Sequence, residues 1–192
     1  MTLLESQSLA RQLPRPPEQF TVLVADDDPD IVEVMALFLE REGYRILRAY
    51  DGDEAIAIID AERPDLVLLD VRMPGTDGYA VCQHVKSNVE TAFIPVVIIT
   101  NVRGLNSKMV GVEAGADDYL NKPFNEVELA ARVRSLLRVK GLHDELEAHK
   151  RGLEAAVKER TAQLEAALEK LRTLDRLKSE IINTVSHELR TR

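Results

Sequence analysis

The sequence predicts an α/β protein in which helices cover both faces of a parallel five-stranded sheet. Strand-like and helix-like segments alternate from residue 20 to about residue 140, as they do where helices connect parallel strands. The strands predicted at 66–70 and 94–100 are nearly continuous apolar runs, which is typical of a sheet buried on both faces. Such sheets bind ligands beyond the carboxyl ends of their strands, so functional side chains are expected directly after strands.

Local patterns define the individual elements. The first strand is rich in β-branched residues and ends in three aspartates, of which Asp28 is the predicted N-cap of the next helix and Pro29 its first residue. Gly43 is the predicted end of that helix. The later strands are short apolar runs, and the later helices carry apolar residues at helical spacing. The predicted strands cover 20–25, 44–49, 66–70, 94–100 and 118–120, and the predicted helices cover 29–42, 53–62, 78–87, 104–114 and 125–139.

Composition excludes several classes of protein. The net charge of −8 and the lack of a basic cluster argue against a nucleic-acid partner. The single cysteine, Cys82, allows no intrachain disulfide and fits a reducing compartment. No apolar run approaches the roughly 18 residues of a membrane span, and the N-terminus does not resemble a signal peptide. We therefore expect a cytoplasmic protein, with a flexible, proline-rich tail at 1–19.

Polar side chains follow four of the predicted strands. Asp26 and Asp27 follow the first strand, Asp70 the third, Thr100 the fourth and Lys122 the fifth. Three carboxylates brought together would repel one another, and a hard divalent cation removes that cost. Oxygen ligands favour Mg²⁺ or Mn²⁺ over Zn²⁺, while a hydroxyl and an ammonium group suit a bound phosphoryl group. The central carboxylate would then be a nucleophile that forms an acyl phosphate. Each feature alone is weak evidence, because paired aspartates after a strand are more often a helix cap.

In combination, these segments resemble the bacterial response-regulator receiver domain over about 120 residues, from 20 to 140. The segments that carry the resemblance are Val24-Ala25-Asp26-Asp27-Asp28, Ala49-Tyr50-Asp51-Gly52 with Glu54-Ala55, Leu68-Leu69-Asp70-Val71-Arg72-Met73-Pro74-Gly75-Thr76-Asp77-Gly78, Ile98-Ile99-Thr100, and Gly115-Ala116-Asp117-Asp118-Tyr119-Leu120-Asn121-Lys122-Pro123-Phe124. The resemblance implies a flavodoxin-like, doubly wound sheet of strand order 2-1-3-4-5. It also implies a Lys122–Pro123 bond that is commonly cis.

The resemblance assigns a role to each matching residue. Asp70 is the expected phosphoacceptor, Thr100 and Lys122 contact the phosphoryl group, and Tyr119 is the switch aromatic that moves inward with Thr100. The expected metal ligands are Asp27 and Asp70 directly, Asp26 through water, and the backbone carbonyl of Arg72. Such a domain catalyses its own phosphorylation and dephosphorylation, and its partner is a phosphodonor histidine kinase or phosphotransfer protein.

Residues 141–176 predict a coiled coil, most simply a parallel homodimer. About five heptads place apolar residues on two seam lines, which Arg160 and Lys178 interrupt. Charge pairs at i,i+4 spacing, such as Glu154 with Lys158, support a long helix. The alternative is a helix that folds back on the globular domain.

The end of the chain, 177–192, resembles the H-box that begins the dimerisation domain of sensor histidine kinases. The match is Ser186-His187-Glu188-Leu189-Arg190-Thr191, which implies that His187 is a second phosphoacceptor with Glu188 as its base. Arg192 departs from the family's usual proline. No stretch resembles an ATP-binding domain, so we do not expect this chain to autophosphorylate, although the parent protein is expected to be a histidine kinase.

Two-component phosphorelay signalling is therefore the predicted function, with the receiver signalling through the coiled coil to a histidine-kinase region. The first alternative is a constitutive dimerisation platform in which phosphorylation is incidental. A haloacid-dehalogenase-like phosphatase also uses an Asp nucleophile and Mg²⁺, but it needs an acidic residue where this chain has Arg72.

Overall fold

A computed structural model of the chain describes residues 13–101 and 114–190, with side chains up to Arg176 and at Lys178. The strands are β1 (Thr21–Ala25), β2 (Arg45–Ala49), β3 (Leu66–Asp70), β4 (Val96–Thr100) and β5 (Asp118–Asn121), and the helices are α1 (Pro29–Arg41), α2 (Gly52–Glu62), α3 (Gly78–Ser87) and α4 (Glu126–Arg190). The helix predicted at 104–114 lies, except for its last residue, outside the described residues.

All five strands are parallel and lie in the order β2-β1-β3-β4-β5, which confirms the predicted fold class and strand order. Every residue of β3 and β4 is buried, because helices pack on both faces of the sheet. One apolar core, which includes Phe20, Leu68 and Leu137, fills one face. The other core includes Leu69, Cys82 and Ile98. The sheet is therefore a rigid base for the residues at its strand ends.

The ends of α1 are as predicted. The Asp28 side chain accepts a hydrogen bond from the Asp30 N–H (3.0 Å) and caps the helix, and Pro29 is the first helical residue. Gly43, just beyond the last turn, has φ +98°, a conformation that glycine adopts without the steric cost a Cβ imposes. Both signals were readable from the sequence because they depend only on local backbone geometry.

Residues 13–20, here called the strap, make specific contacts where the sequence predicts a tail up to residue 19. Arg15 donates hydrogen bonds to Asp65 (2.5 Å) and Asp144 (2.9 Å), and its guanidinium lies 4.3 Å above the centre of the Phe20 ring. Pro14 packs on α4 at Gly141, where a Cβ would lie 2.3 Å from Pro14 Cγ. Apolar, ionic and ring contacts together hold the strap in place.

The chain divides into two compact units, Met1–Asp144 and Glu145–Arg192. The second unit contains only the C-terminal part of α4. Its large apolar side chains are exposed to solvent, at 61–68% for a set that we call the seam: Leu146, Leu153, Val157, Leu164, Leu171 and Leu174. Among the described residues, no helix is long and apolar enough to cross a membrane.

Candidate functional site

The carboxyl ends of four strands bring the predicted site residues to one edge of the sheet. Asp70 is the last residue of β3 and pairs in register with Ile99, the neighbour of Thr100 at the end of β4. Asp26 directly follows β1, and Lys122 directly follows β5. Asp26, Asp70 and Thr100 are buried, at 1%, 7% and 5% exposed. Parallel pairing therefore converts four separate positions in the sequence into one polar cluster.

Lys122 joins two of the carboxylates. Its Nζ lies 2.5 Å from Asp26 Oδ2 and 2.6 Å from Asp70 Oδ1, so one ammonium group bridges the ends of β1 and β3. The three side chains are nearly buried, which makes the hydrogen bonds strong and leaves little room for water to replace them. The backbone places Lys122 through its own N–H, which donates to the carbonyl of Thr100 (2.8 Å). The Lys122–Pro123 peptide bond, which follows β5, is cis.

The electrostatics of the pair follow from burial and charge. Burial raises the pKa of Asp26, and the hydrogen bond and charge of Lys122 only partly oppose this rise. Burial by itself lowers the pKa of Lys122. Hydrogen bonds to Asp26 and Asp70 and the attraction of their charges outweigh this effect, so the pKa of Lys122 lies above its usual value. Lys122 is therefore a permanent cation at the centre of the site.

Backbone amides supply the other hydrogen bonds to the carboxylates. The Asp28 N–H donates to Asp26 Oδ1 (3.1 Å), and the Arg72 N–H donates to Asp70 Oδ2 (2.6 Å). Each carboxylate thus has one oxygen on Lys122 and the other on a main-chain donor. Sequence reasoning missed both amide contacts, since backbone donors are independent of residue type and leave no mark in a sequence.

Asp27 lies apart from this arrangement. Its side chain is exposed, whereas those of Asp26 and Asp70 are buried. Among the side chains that the structure describes, no three from His, Cys, Asp or Glu are placed so that they could hold a metal ion. The candidate metal ligands at the strand ends are nevertheless all oxygens: the two buried carboxylates, the exposed carboxylate of Asp27 and the backbone carbonyl of Arg72. This donor chemistry fits a hard divalent cation such as Mg²⁺.

Beside Lys122, an open groove of about 530 Å³ runs between α1 and the loop that follows β5. Its lining is mostly apolar and consists of Asp30, Ile31, Val34, Met35, Asn101, Lys122, Pro123 and Phe124. Val34, which lines this groove from α1, is 64% exposed. Of the polar cluster, Lys122 is the residue that lines this groove.

The three remaining predicted residues, Tyr119, His187 and Glu188, are not part of this cluster. Tyr119 is in β5 and packs against the core that contains Cys82. Its hydroxyl is buried and finds no hydrogen-bond partner in the described part of the chain, and burial raises the pKa of Tyr119 to about 12. His187 and Glu188 belong to α4, but their side chains lie outside the described residues.

Comparison with known proteins identifies relatives of this site and fold. Residues 22–134 match the family described as the response regulator receiver domain. The DNA-binding dual master transcriptional regulator RpaA of Synechocystis is 43% identical over 117 residues, which is 61% of this chain and 48% of that protein. The chain thus covers only about half the length of this relative.

Two solved structures share the fold. A chain described as a response regulator from Chloroflexus aurantiacus is 40% identical, with a TM-score of 0.59 over 62% of this chain and 97% of that one. The signal receiver domain of a signal transduction histidine kinase from Syntrophus aciditrophicus is 36% identical, with a TM-score of 0.59 over 62% of this chain and 89% of that one.

Proposed function

Because the chain belongs to the response-regulator receiver family, we propose that its globular part is a phosphoryl-accepting switch in which Asp70 is phosphorylated. The observation that carries the proposal is the Lys122 ammonium, 2.5 Å from Asp26 and 2.6 Å from Asp70 at the carboxyl ends of parallel strands. A buried cation beside a buried carboxylate is suited to receive a group that is itself anionic.

The chemistry follows from the contacts of Asp70. One carboxylate oxygen attacks the phosphorus of the donor, and the bond between phosphorus and the donor's leaving atom breaks as an acyl phosphate forms. The leaving group departs with the electron pair of that bond and takes a proton from solvent. Lys122 then exchanges its contact with Asp70 for a contact with a phosphoryl oxygen, and Thr100 donates its hydroxyl to another. The Arg72 N–H holds the second Asp70 oxygen and so orients the carboxylate.

Asp26, Asp27, Asp70 and the backbone carbonyl of Arg72 are the groups that would hold Mg²⁺ or Mn²⁺. When bound, a divalent cation supplies charge neutralisation for the phosphoryl group during transfer. Burial raises the pKa of Asp26, so its ionised form is disfavoured even beside Lys122. A second positive charge would favour the ionised form.

The direct test is the intact mass of the protein after incubation with acetyl phosphate and Mg²⁺. We expect the wild-type protein to gain the mass of one phosphoryl group. No gain is expected in EDTA or in the Asp70→Asn variant, whose side chain has the same shape. Asp28→Asn is a matched control, because it makes the same chemical change at a helix cap two residues after Asp26. A wild-type protein that gains no phosphoryl group from any small donor would refute the proposal.

The donor is proposed to be the phosphohistidine of a histidine kinase or phosphotransfer protein. We propose that a helix carrying the donor histidine docks at the groove between α1 and the loop after β5, whose lining is mostly apolar and includes Lys122. Substitution of the exposed Val34 by Lys is expected to slow transfer from a protein donor and to leave transfer from acetyl phosphate unchanged. If the substitution slows transfer from both donors equally, Val34 affects the phosphoryl-transfer step itself, and the proposed docking of the donor at this groove is refuted.

The proposed output is a parallel homodimeric coiled coil formed by the seam of α4. The seam residues are more than 60% exposed and recur at heptad spacing, so a single chain leaves them in water. The relative from Syntrophus aciditrophicus is the receiver of a histidine kinase, which supports a kinase-linked role for this chain as well. We propose that phosphorylation, read through Thr100 and Tyr119, alters the pairing of the two helices.

Cysteine crosslinking tests the coiled coil cleanly, because the native Cys82 is buried. Leu164→Cys, on the seam, should form a disulfide-linked dimer, and Glu169→Cys, on the opposite side of the helix, should not. Equal crosslinking at both positions would refute the seam. If Leu164→Cys crosslinks but acetyl phosphate changes neither its rate nor its extent, the alternative of a constitutive dimerisation platform is favoured.

His187 is proposed as a second phosphoacceptor, with Glu188 as its base, on the strength of the H-box resemblance alone. In an Asp70→Asn background, phosphoramidate should add a phosphoryl group that is lost on acid treatment and absent from Asp70→Asn/His187→Gln. An acid-stable product, or one that persists without His187, would contradict this assignment.

A further inference from the structure

The loop between β3 and α3 connects the proposed phosphoacceptor to the rest of the sheet edge. It starts directly after Asp70, and its second residue, Arg72, supplies both the N–H that binds Asp70 (2.6 Å) and the carbonyl proposed as a metal ligand. At its far end, the Asp77 side chain caps α3 by accepting from the Ala80 N–H (2.8 Å). Backbone hydrogen bonds also hold Val71, whose N–H donates to the Ile99 carbonyl (3.3 Å) and whose carbonyl accepts from the Gly78 N–H (3.0 Å). The loop is therefore fixed at both ends, and Arg72 begins the segment between them.

The first turn of α2 supports this segment. Thr76 Oγ1 donates a hydrogen bond to Asp53 Oδ1 at 2.5 Å, across 23 residues of sequence. Asp53 lies in the first turn of α2, where a negative side chain is favoured by the helix dipole. The turn is itself rigid, because Asp51 caps it by accepting from the Glu54 N–H (2.7 Å). The middle of the loop is thus hydrogen-bonded to the first turn of a helix.

Two glycines make this contact sterically possible. A Cβ on Gly52 would lie 1.8 Å from the Thr76 carbonyl oxygen, so only glycine lets the loop approach the helix this closely. Gly75 has φ +71°, and a Cβ there would lie 2.7 Å from Asp53 Oδ2. Gly75 thus leaves free the space that the Asp53 carboxylate needs to reach Thr76. A glycine next to each partner of the Thr76–Asp53 hydrogen bond therefore leaves the space that the contact requires.

We propose that Asp53 and Thr76 are positioning residues for the Asp70 site, which hold the β3–α3 loop so that Arg72 faces Asp70. The inference rests on the proposed function, since it assigns these residues a part in Mg²⁺ binding and phosphorylation. Neither residue touches the reacting atoms. Loss of their hydrogen bond frees the middle of the loop, and the Arg72 amide and carbonyl then sample positions away from Asp70.

The experiment measures Mg²⁺ affinity by isothermal titration calorimetry, without a phosphodonor, together with hydrogen exchange of the 71–77 segment. Thr76→Val keeps the side-chain shape but removes the hydroxyl, and it should raise the Kd for Mg²⁺ by about fivefold, the effect of about one hydrogen bond. Asp53→Ala should do the same. Asp53→Asn retains Oδ1 as an acceptor and should keep the Kd within about twofold of wild type. Amide protection at 71–77 should fall in Thr76→Val and Asp53→Ala only.

Asp60→Ala is the matched charge control. Asp60 is an exposed carboxylate on the same helix, and it pairs with His84 instead of the loop. Its loss changes the net charge by the same amount as Asp53→Ala and should leave both Mg²⁺ affinity and loop exchange unchanged. If Asp60→Ala weakens Mg²⁺ binding as much as Asp53→Ala does, a long-range effect of charge explains both results, and the positioning role of Asp53 is refuted.

The outcomes separate this inference from the proposed function. Wild-type Mg²⁺ binding with an unchanged Thr76→Val variant would overturn the positioning role and leave the proposed function intact. A wild-type protein that neither binds Mg²⁺ nor gains a phosphoryl group would overturn both. The double variant Thr76→Val/Asp53→Ala should be no worse than either single variant, since one hydrogen bond is lost in all three. Additive losses would show that the two side chains act separately.

Discussion

The contact between the strap and Gly141 predicts that one substitution has opposite effects at two positions of the same helix. Gly141 and Gly152 both lie inside α4. A Cβ added at Gly152 meets nothing within 4 Å, but one added at Gly141 would lie 2.3 Å from Pro14 Cγ and 3.3 Å from Phe20 Cζ. Gly152→Ala therefore changes only the helix, whereas Gly141→Ala also displaces the strap.

The magnitudes follow from this geometry. Alanine in place of glycine stabilises a helix interior by about 1 kcal/mol, which is the whole effect expected at Gly152. At Gly141, overpacking against Pro14 costs about 1–3 kcal/mol, and the strap relieves it only by moving away from Asp65 and Asp144. Because Arg15 and Asp144 are about one third exposed, each of these ion pairs contributes only about 0.5–1 kcal/mol. Set against the gain of about 1 kcal/mol from helix propensity, this overpacking cost makes the net effect of Gly141→Ala a destabilisation of up to about 2 kcal/mol.

Hydrogen exchange measures both changes locally, which matters because the chain has two units and need not unfold in one step. Protection should fall in the segment around 137–146 for Gly141→Ala and rise around 148–156 for Gly152→Ala. Pro14→Ala removes the two Pro14 atoms nearest to the added Cβ. In the Pro14→Ala background, Gly141→Ala should then become neutral or stabilising, a non-additivity of about 1 kcal/mol or more.

Increased protection around 137–146 in Gly141→Ala, with the strap residues Pro14 and Arg15 intact, would refute the reasoning. It would mean that the strap does not occupy the space beside Gly141 in solution.

Three other predictions follow from single contacts. Lys122→Met leaves the buried Asp26 and Asp70 carboxylates without their cation and should lower the free energy of unfolding by about 3 kcal/mol in EDTA, and Mg²⁺ should recover part of this loss in denaturant titrations. Asp28→Ala removes the α1 cap and should cost about 1 kcal/mol by the same assay, with no dependence on Mg²⁺. Burial raises the pKa of Cys82 to about 11, so its neutral thiol favours the folded state below pH 9.0, and this contribution is lost as the pH rises through about 11. At pH 8, Cys82 should therefore react with a disulfide reagent only at the rate of opening, and fast labelling of the native protein would contradict its burial.

The sequence predicted the sheet well because the evidence was periodic and local. The apolar runs at β3 and β4, the Asp28 cap and the Gly43 terminator each reflect a few neighbouring residues. The cluster of Asp26, Asp70, Thr100 and Lys122 was also predictable, since parallel strands bring their carboxyl ends together. The Lys122 bridge was not, because it depends on side-chain distances that no spacing rule supplies.

The strap and the Asp53–Thr76 contact were beyond sequence reasoning for a related reason. Leu13-Pro14-Arg15-Pro16-Pro17 has the composition of a flexible segment, yet Arg15 finds Asp65 and Asp144 at distances of 50 and 129 residues along the chain. Contacts of this kind depend on the finished surface of the folded domain. Gly141, a glycine inside a helix-forming stretch, is the sequence feature that fits such a close approach.

The strap also sets limits on how this domain can be transplanted. A fusion cut at the limits of the family match, 22 and 134, would discard the strap together with Gly141 and Asp144. The graft would retain the polar cluster but would lose Phe20 and Leu137 from the core and the Arg15 hydrogen bond to Asp65. An engineered sensor that borrows this receiver should therefore carry residues 13–144 as one piece and be joined to its new output helix beyond Asp144.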